Sequence, residues 1–358
     1  MRISFSMILA VNRLTVSRKT GPLASFFIVA LACLVSACSP YKEESHFFGG
    51  QIMGTTYHVT VIADAKEVPE NLAAQIKTAL EDIDGKMSTY KPDSELSRLN
   101  RAPLNEPQII SPELMDVLSL AMEIYLDSGG AFDPSVGPLV DLWGFGPSIH
   151  EDRVPSDDEI VERLGSLGFA TLEIVKDQST VIKHKAISID LSAIAKGYAA
   201  DKVGELLREQ GITRYMVEVG GEMLLSGHNG HGNPWRIAVE RPALGHREVQ
   251  GIVQVTDAGV ATSGDYRNYF EKNGKRYSHT IDPRTGYPIE HSLASVTVVT
   301  DSSARADALA TVFMVKGEDE ALRYAKERGI AIMTISKRNH DFVERFSPAF
   351  EPYLKEVE

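Results

Sequence analysis

Segments with helical periodicity and segments with strand periodicity follow one another along this chain in no regular order, which limits the folds it can adopt. Residues 51–62 alternate polar and apolar side chains and are rich in β-branched residues, as in a half-buried strand. Residues 71–83 carry apolar side chains at helical spacing. A regular α/β winding would alternate strands and helices strictly. The irregular order instead predicts an α+β fold with a largely antiparallel sheet and packed helices.

The same patterns predict further elements. Ser111 and Pro112 indicate a helix start and Gly129 its end, because Ser caps helices, Pro is favoured at the first helical position and Gly is favoured just past the last. Further helices are predicted over residues 156–164, 193–209, 303–315 and 319–328. Strands are predicted over residues 171–175, 186–189, 215–219, 222–226, 235–239, 249–255, 276–281, 295–299 and 330–335.

The beginning of the chain has the pattern of an export signal. Residues 2–20 contain four positively charged residues and no acidic one, and residues 23–37 form an apolar run that is short for a transmembrane helix. The run ends in Val-Ser-Ala-Cys at residues 35–38, which looks like a bacterial lipobox, whose Cys becomes lipid-modified and forms the new N-terminus. A buried helix with a chance cysteine is the plainer alternative, but it does not explain why these features occur in this order.

This pattern predicts a signal peptide at 1–37, a tether at 38–48 and a globular domain at 49–358. Cys38 would carry the lipid and anchor the protein to a bacterial membrane, facing the periplasm. Ser39 follows Cys38 where Asp would favour retention in the inner membrane. Outer-membrane placement is therefore favoured, and inner-membrane placement stays open.

The acidic balance of the chain limits its partners. The net charge is −12, and removal of residues 1–37 takes away four positive charges and no negative one. Such a chain lacks the basic face needed to bind a phosphate backbone, so nucleic acid is not an expected partner. A diphosphate ligand would need a bound cation or backbone N–H groups to hold it.

Five segments are richer in Gly, Asp, Thr and His than a packed core requires, and they lie at predicted element ends, where sites usually occur. They are residues 53–57; 130–139 with 143–145; 189–201; 218–222 with 261–266; and 277–288 with 306–311. Each one alone is compatible with an ordinary turn or, in the first case, a β-bulge. The aromatic rings and irregular backbone of the second segment suit a flat heteroaromatic ligand, although these residues alone favour Phe132 and Trp143 as core residues under a long loop.

Two of these segments contain charges that could bind phosphate and metal. The third passes through a turn into a helix, whose first N–H groups could hold an anion beside Lys196. An ordinary helix start with a solvated lysine is the alternative. In the fifth, Asp307 and Thr311 are four residues apart on one helical face and offer a carboxylate and a hydroxyl to a hard cation such as Mg²⁺. The alternative is an exposed polar helix face.

Taken together, these motifs resemble the ApbE family of FAD:protein FMN transferases. The motifs, in chain order from residue 53 to about 311, are Met-Gly-Thr, Gly-Ala-Phe-Asp-Pro-Ser, Asp-Leu-Ser-Ala-Ile-Ala-Lys-Gly-Tyr-Ala-Ala-Asp, Val-Gly-Gly-Glu, Ser-His-Thr-Ile-Asp-Pro-Arg-Thr-Gly and Ala-Asp-Ala-Leu-Ala-Thr. The resemblance implies an ApbE-like α+β fold with a flavin cleft between subdomains. It also implies FAD as substrate and Mg²⁺ as cofactor.

The resemblance further implies the roles of individual residues. The positions that match FAD contacts are Met53, Tyr90, Ala131, Phe132, Asp133, Asp190, Lys196 and Ile281. The positions that match metal ligands are Ala193, through its carbonyl, Asp307 and Thr311, and His279 would lie nearest the chemistry. Some relatives have a second Asp where this chain has Ala310, so water or diphosphate oxygens would have to complete the Mg²⁺ shell here.

The implied reaction transfers FMN from FAD to a Thr or Ser hydroxyl of an acceptor protein, a subunit of a membrane redox complex, and releases AMP. His279 is the candidate general base, and Asp282 is a candidate partner for it. Three alternatives stay open: a Mg²⁺-dependent FAD pyrophosphatase that gives FMN and AMP, a non-catalytic flavin-binding lipoprotein, and a structural envelope lipoprotein.

Overall fold

An antiparallel sheet of eight strands runs through the part of the chain that the computed structural model describes, residues 44–146, 153–242, 248–266, 268–339 and 341–354. Its strand order is β1-β2-β6-β7-β10-β13-β14-β15. The strands of the described residues are β1 (Glu44–Ile52), β2 (Thr55–Ala63), β3 (Gln108–Ile109), β4 (Leu172–Val175), β5 (Thr180–Lys183), β6 (Tyr215–Val219), β7 (Glu222–Ser226), β8 (Trp235–Glu240), β9 (Val249–Val255), β10 (Ala258–Gly264), β11 (Tyr269–Lys272), β12 (Lys275–Ser278), β13 (Leu293–Thr300), β14 (Ala331–Arg338) and β15 (Asp341–Phe346).

Every neighbouring pair in the large sheet is antiparallel. Three small sheets, β3-β5-β4, β8-β9 and β11-β12, complete the strand pairing. The helices are α1 (Leu72–Met87), α2 (Glu95–Arg101), α3 (Pro112–Ser128), α4 (Gly137–Leu142), α5 (Asp157–Leu164), α6 (Ala195–Glu209), α7 (Ser303–Lys316) and α8 (Glu318–Arg328). The predicted α+β class with a largely antiparallel sheet is confirmed.

The two faces of the sheet pack into different hydrophobic cores. Leu224 belongs to the main core, which also contains side chains of α1, α3, α6 and α7, whereas its neighbour Leu225 belongs to a second core with β8 and β9. Val298 and Val299 divide in the same way. This division follows from the strand geometry, because successive side chains point to opposite faces.

A third, smaller core lies under α4, α5 and the β11–β12 hairpin and contains Trp143 and Ile281. Residues 130–139 connect it with the main core, since Phe132 lies in the main core and Leu139 in the third. The described residues belong to one compact unit. The predicted cleft between subdomains stays a prediction.

The helix starts follow the capping signals in the sequence. The Ser111 hydroxyl accepts a hydrogen bond from the Leu114 N–H, Pro112 is the first residue of α3, and Gly129 ends the helix with φ +66°. Ser156 and Glu159 form a reciprocal capping box at the start of α5.

Several predicted boundaries differ from the structure. The strand predicted over 51–62 is a hairpin, because Met53 and Gly54 both have positive φ (+50° and +72°) and form a two-residue turn between β1 and β2. Strand β1 begins at Glu44, so residues 44–48 of the predicted tether lie in the sheet. The signal peptide, the lipidation site Cys38 and the tether up to residue 43 lie outside the described residues.

Two predictions about local structure are wrong. Residues 186–189 are not a strand, although Ile187 and Ile189 are buried, since this segment packs into the main core without sheet partners. Residues 261–266, interpreted as a glycine turn, belong mostly to β10, an inner strand of the large sheet. Its small residues are required there because a Cβ at Gly259 would come within 2.3 Å of the Ser302 backbone.

Among the described helices, none has the length and apolar character needed to cross a membrane.

Candidate active site

The segments singled out in the sequence contact one another in the fold. The Gly220 N–H donates to the Thr56 carbonyl at 2.9 Å, which joins the β6–β7 turn to the first segment. The Asp190 N–H donates to the Pro134 carbonyl at 2.8 Å, which joins the third segment to the second. Tertiary structure thus gathers residues that are far apart in sequence into one region.

A buried group of three charges, Lys196, Glu222 and Asp307, lies at the centre of this region. The ammonium nitrogen of Lys196 lies 3.2 Å from Oε1 of Glu222 and 3.4 Å from Oδ2 of Asp307. The Glu222 and Asp307 side chains are 9% and 8% exposed, and that of Lys196 is 26% exposed. The alternatives of a solvated lysine and an exposed helix face at Asp307 are therefore wrong.

The Asp307 carboxylate also lies at the N-terminus of α6. No side chain caps this helix at Ile194, and the Gly197 N–H donates to Oδ2 of Asp307 at 3.2 Å. Free N–H groups at a helix start favour a negative charge. In this structure, the Gly197 N–H at this helix start holds a carboxylate of the chain itself, and binding of an anionic ligand there stays a prediction.

Burial and ion pairing shift the pKa of each of these groups in opposite directions. Burial alone would lower the pKa of Lys196, but the charges of Asp307 and Glu222 outweigh it and raise that pKa above its ordinary value. Burial raises the pKa of Glu222 and that of Asp307, and the Lys196 charge opposes both shifts. Lys196 therefore stays an ammonium at neutral pH.

The predicted metal ligands offer oxygen atoms in one neighbourhood. Asp307 and Thr311 lie one turn apart on α7, and Ala193 lies two residues before the start of α6; Thr311 and Ala193 are half-buried. Because Lys196 and Gly197 both bond to Oδ2 of Asp307, Oδ1 is left for a cation. A carboxylate, a hydroxyl and a carbonyl are donors that suit Mg²⁺ and not zinc. Within the described ranges, no group of three or more His, Cys, Asp or Glu side chains could hold a metal.

Asp133 and Asp190 make the same local hydrogen bonds, each to the Ser two residues further along the chain. Oδ1 of Asp133 accepts hydrogen bonds from the N–H and hydroxyl of Ser135 at 2.7 and 2.6 Å. Oδ1 of Asp190 accepts from the N–H of Ser192 at 2.8 Å and from its hydroxyl. These bonds fix the two loops that would lie against a ligand. Burial raises the pKa of Asp133 above its usual range.

Several predicted FAD contacts have side chains that belong to hydrophobic cores. Ala131, Phe132 and Ile281 are 1%, 3% and 4% exposed, so a ligand would reach their backbone and not their side chains. Trp143 is 1% exposed and its indole N–H donates to the Gly286 carbonyl at 2.8 Å. The alternative of core aromatics under a long loop is confirmed for Phe132 and Trp143.

The two other predicted FAD contacts lie nearer the surface. Met53 occupies the β1–β2 turn with φ +50° and packs against the main core. Tyr90 lies between α1 and α2 with 75% of its surface exposed, which leaves its ring available to a ligand.

His279 directly follows β12 and has a defined tautomer. Its Nδ1 lies 3.0 Å from the Asn268 carbonyl oxygen, which can only accept, so Nδ1 carries the proton and the lone pair is on Nε2. Burial lowers the pKa of His279, against the opposing effects of the Asn268 bond and the charge of Asp265. The ring therefore has the neutral form that a general base requires.

Asp282 is not the partner of His279 in this structure. Its carboxylate accepts two hydrogen bonds from the Arg284 guanidinium, at 2.9 and 2.8 Å. The acidic residue whose charge acts on His279 is Asp265.

Sequence reasoning assigned no role to Glu222 or Asp201. Glu222 shares the buried side of β7 with Leu224, and a carboxylate on an apolar strand face is the signal that could have singled it out. Asp201 on α6 accepts from the Ser303 and Ala304 N–H groups at 2.8 and 2.9 Å and so caps α7. Its long-range partners could not be read from local sequence.

Comparison with known proteins places the chain among flavin transferases. A sequence model of the ApbE family matches residues 53–334. A protein of Vibrio cholerae named FAD:protein FMN transferase is 44% identical over 336 residues, covering 92% of this chain and 98% of its own. One of Haemophilus influenzae with the same name is 42% identical, covering 90% of this chain and 96% of its own.

The fold agrees with these sequence matches. The solved structure of the flavin transferase ApbE from Vibrio cholerae matches with a TM-score of 0.81 and 42% identity, covering 87% of this chain and all (100%) of that one. Motifs, site geometry, sequence and fold agree, and this chain belongs to the ApbE family.

Proposed function

We propose that this protein is an FAD:protein FMN transferase that uses Mg²⁺, moves FMN from FAD to a Thr or Ser hydroxyl of an acceptor protein and releases AMP. The observation that carries the proposal is the buried Lys196–Asp307 pair at the start of α6, with Thr311 one turn further along α7. A protein that only stored flavin would not need a cation site at this position. The names and full-length matches of the relatives support the transferase activity itself.

The chain's own residues would bind and orient the substrate. Lys196 supplies a positive charge for the FAD diphosphate, and the fixed loops around Asp133 and Asp190 supply backbone groups. Mg²⁺ held by Asp307, Thr311 and the Ala193 carbonyl would neutralise charge on the diphosphate and make AMP a better leaving group. This arrangement would allow so acidic a protein to bind a diphosphate.

His279 would accept the proton of the acceptor hydroxyl at Nε2. The hydroxyl oxygen forms a bond to the phosphorus of the FMN moiety, the bond from that phosphorus to the bridging diphosphate oxygen breaks, and AMP carries away the electron pair. No nucleophile from this chain is needed, because positioning and electrostatic stabilisation can carry phosphoryl transfer.

The test is to incubate the protein lacking residues 1–37 with FAD, MgCl₂ and a soluble acceptor domain. We expect an acceptor heavier by one FMN and an equal amount of AMP, both lost with EDTA and with Asp307→Ala. Free FMN and AMP with an unmodified acceptor would instead indicate the pyrophosphatase. FAD that binds and stays intact would indicate a flavin carrier.

The location of the protein is a separate proposal. The pattern of residues 1–38 supports a lipid anchor on Cys38 and a globular part facing the periplasm, where acceptor subunits of membrane redox complexes would be reached. Mass spectrometry of the mature N-terminus and membrane fractionation would test it. An unmodified Cys38, or a Cys38→Ala protein that still sediments with membranes, would contradict the lipid anchor.

A further inference from the structure

Glu222 has an unusual environment for a carboxylate. It is the first residue of β7, directly after the two-residue turn Gly220-Gly221, and its side chain is 9% exposed. Oε1 lies 3.2 Å from the Lys196 ammonium, whereas Oε2 is fully buried and has no hydrogen-bond partner among the described residues. A buried carboxylate oxygen without a partner is unfavourable for folding. Among the described residues, the hydrogen bond of this carboxylate goes to Lys196.

The turn before Glu222 brings its strand close to Lys196. Gly220 has φ +61°, and a Cβ at this residue would come within 3.1 Å of Cδ of Lys196. The nearer contact of such a Cβ would be Cγ2 of Thr55, at 2.8 Å. The turn and Glu222 therefore both lie close to Lys196.

Lys196 bonds to two carboxylates, and ligand binding would affect the two bonds differently. Asp307 is a member of the oxygen set that fits Mg²⁺, and a cation there would compete with the ammonium for its carboxylate. Glu222 bonds to the ammonium from a different element, the sheet, and does not belong to the predicted metal ligands. It can thus keep its bond to Lys196 when Asp307 binds a cation.

We propose that Glu222 is a positioning residue that acts through Lys196, holding the ammonium in place for the FAD diphosphate once Asp307 is engaged by Mg²⁺. The inference rests on the proposed function, because it takes FAD and Mg²⁺ as the ligands. It gives Glu222 no contact with the substrate.

The experiment is a double-mutant cycle in which flavin fluorescence measures FAD binding in the absence of any acceptor protein. Glu222→Gln keeps the shape of the side chain and removes its carboxyl group, and Lys196→Ala removes the group through which it acts. We expect Glu222→Gln to weaken FAD binding about tenfold in MgCl₂, the loss typical of one charge-assisted hydrogen bond. The loss should be smaller in EDTA, where Asp307 still holds Lys196. In the Lys196→Ala background, Glu222→Gln should have no further effect.

Two variants separate positioning from a general effect on the fold. Glu205→Gln is the control on α6, because Glu205 is half exposed and pairs with Lys202 and not with Lys196; it should bind FAD like wild type. Glu222→Asp keeps the carboxyl group and should recover part of the affinity. An unchanged melting temperature is the check on folding. Glu222→Asp is also the variant to compare with wild type if Glu222→Gln does not fold.

Three outcomes would overturn the proposal: wild-type FAD affinity in Glu222→Gln, an equal loss in the Lys196→Ala background, or an equal loss in MgCl₂ and EDTA. The proposed function is tested separately, because a protein that binds FAD with the expected coupling but modifies no acceptor would refute the transferase and leave the role of Glu222 intact.

Discussion

Gly197 on α6 lies directly against the backbone of Ser303 on α7. A Cβ at Gly197 would come within 2.3 Å of the Ser303 carbonyl oxygen and 2.7 Å of Cα of Ala304. The contact is between two backbones, so no side-chain rotation could relieve it. This close approach brings Lys196 and the N–H of Gly197 to Asp307.

Replacing Gly197 by Ala should therefore separate α6 from α7. We expect a loss of unfolding free energy of about 1–3 kcal/mol, as for overpacked cores, and weaker FAD binding because Lys196 moves away from Asp307. Urea denaturation and flavin fluorescence measure the two effects. Gly85→Ala in α1 is the control, since a Cβ there meets nothing within 4 Å and Ala should stabilise a helix interior. Equal stability of the two variants would contradict this explanation.

Asp201 caps α7 from a different helix and should set the position of Asp307. Asp201→Ala would leave the Ser303 and Ala304 N–H groups without an acceptor, so we expect a loss of about 1–2 kcal/mol of unfolding free energy together with weaker FAD binding. Glu205→Ala is the control on the same helix, because Glu205 is half exposed and pairs with Lys202. A destabilised Asp201→Ala protein with unchanged FAD affinity would show that the cap does not position the site.

The pH dependence of FMN transfer should report on His279. Because burial lowers its pKa, the imidazole stays neutral at a lower pH than usual. We therefore expect the acidic limb of kcat/KM to have its midpoint below about 6.5, the value for an unperturbed His. Asp265→Asn removes a charge that raises this pKa and should shift the limb to still lower pH. His231→Asn, on an exposed loop, should leave the profile unchanged.

A midpoint at or above the ordinary His value, or a limb that does not move in Asp265→Asn, would exclude His279 as the titrating base. His279→Ala supplies the second check, since it should retain FAD and slow transfer. FMN transfer at the wild-type rate by His279→Ala would also exclude His279 as the base.

Glu318 should make stability depend on pH in the acid range. Burial favours its protonated form, but hydrogen bonds from Arg338, Ser336 and Arg345, at 2.8, 2.9 and 3.0 Å, outweigh burial and lower its pKa. A carboxyl with a lower pKa in the folded state contributes stability above its unfolded pKa, and this contribution is lost as pH falls through the folded pKa.

Glu318→Gln should therefore be less stable than wild type near pH 7, by about 1–3 kcal/mol, and the difference should shrink as the pH falls below about 4. Urea denaturation from pH 7 to 3 measures it. Glu327→Gln is the control, because Glu327 is exposed and lies 3.7 Å from Arg328. A difference that does not change with pH would mean that Glu318 acts through packing alone.

Much of the fold could be predicted because its signals are local. The start and end of α3 follow from Ser111, Pro112 and Gly129, and strands β6, β7 and β9 have the predicted bounds. Residues 186–189 and strand β10 were assigned wrongly because their structure depends on what packs against them. An inner strand made of small residues has the same local pattern as a glycine-rich turn.

Most helices and strands and the motifs that identify the family could be read from the residues alone, and the same residues predict an export signal. The contacts of Lys196 with Glu222 and Asp307, residues 26 and 111 positions away, appear only in the folded chain. The folded chain also shows that Phe132 packs in a core and that Asp265, not Asp282, acts on His279. Caps and periodicity act within a few residues, whereas ion pairs, burial and pKa shifts depend on which distant elements the closed core brings together.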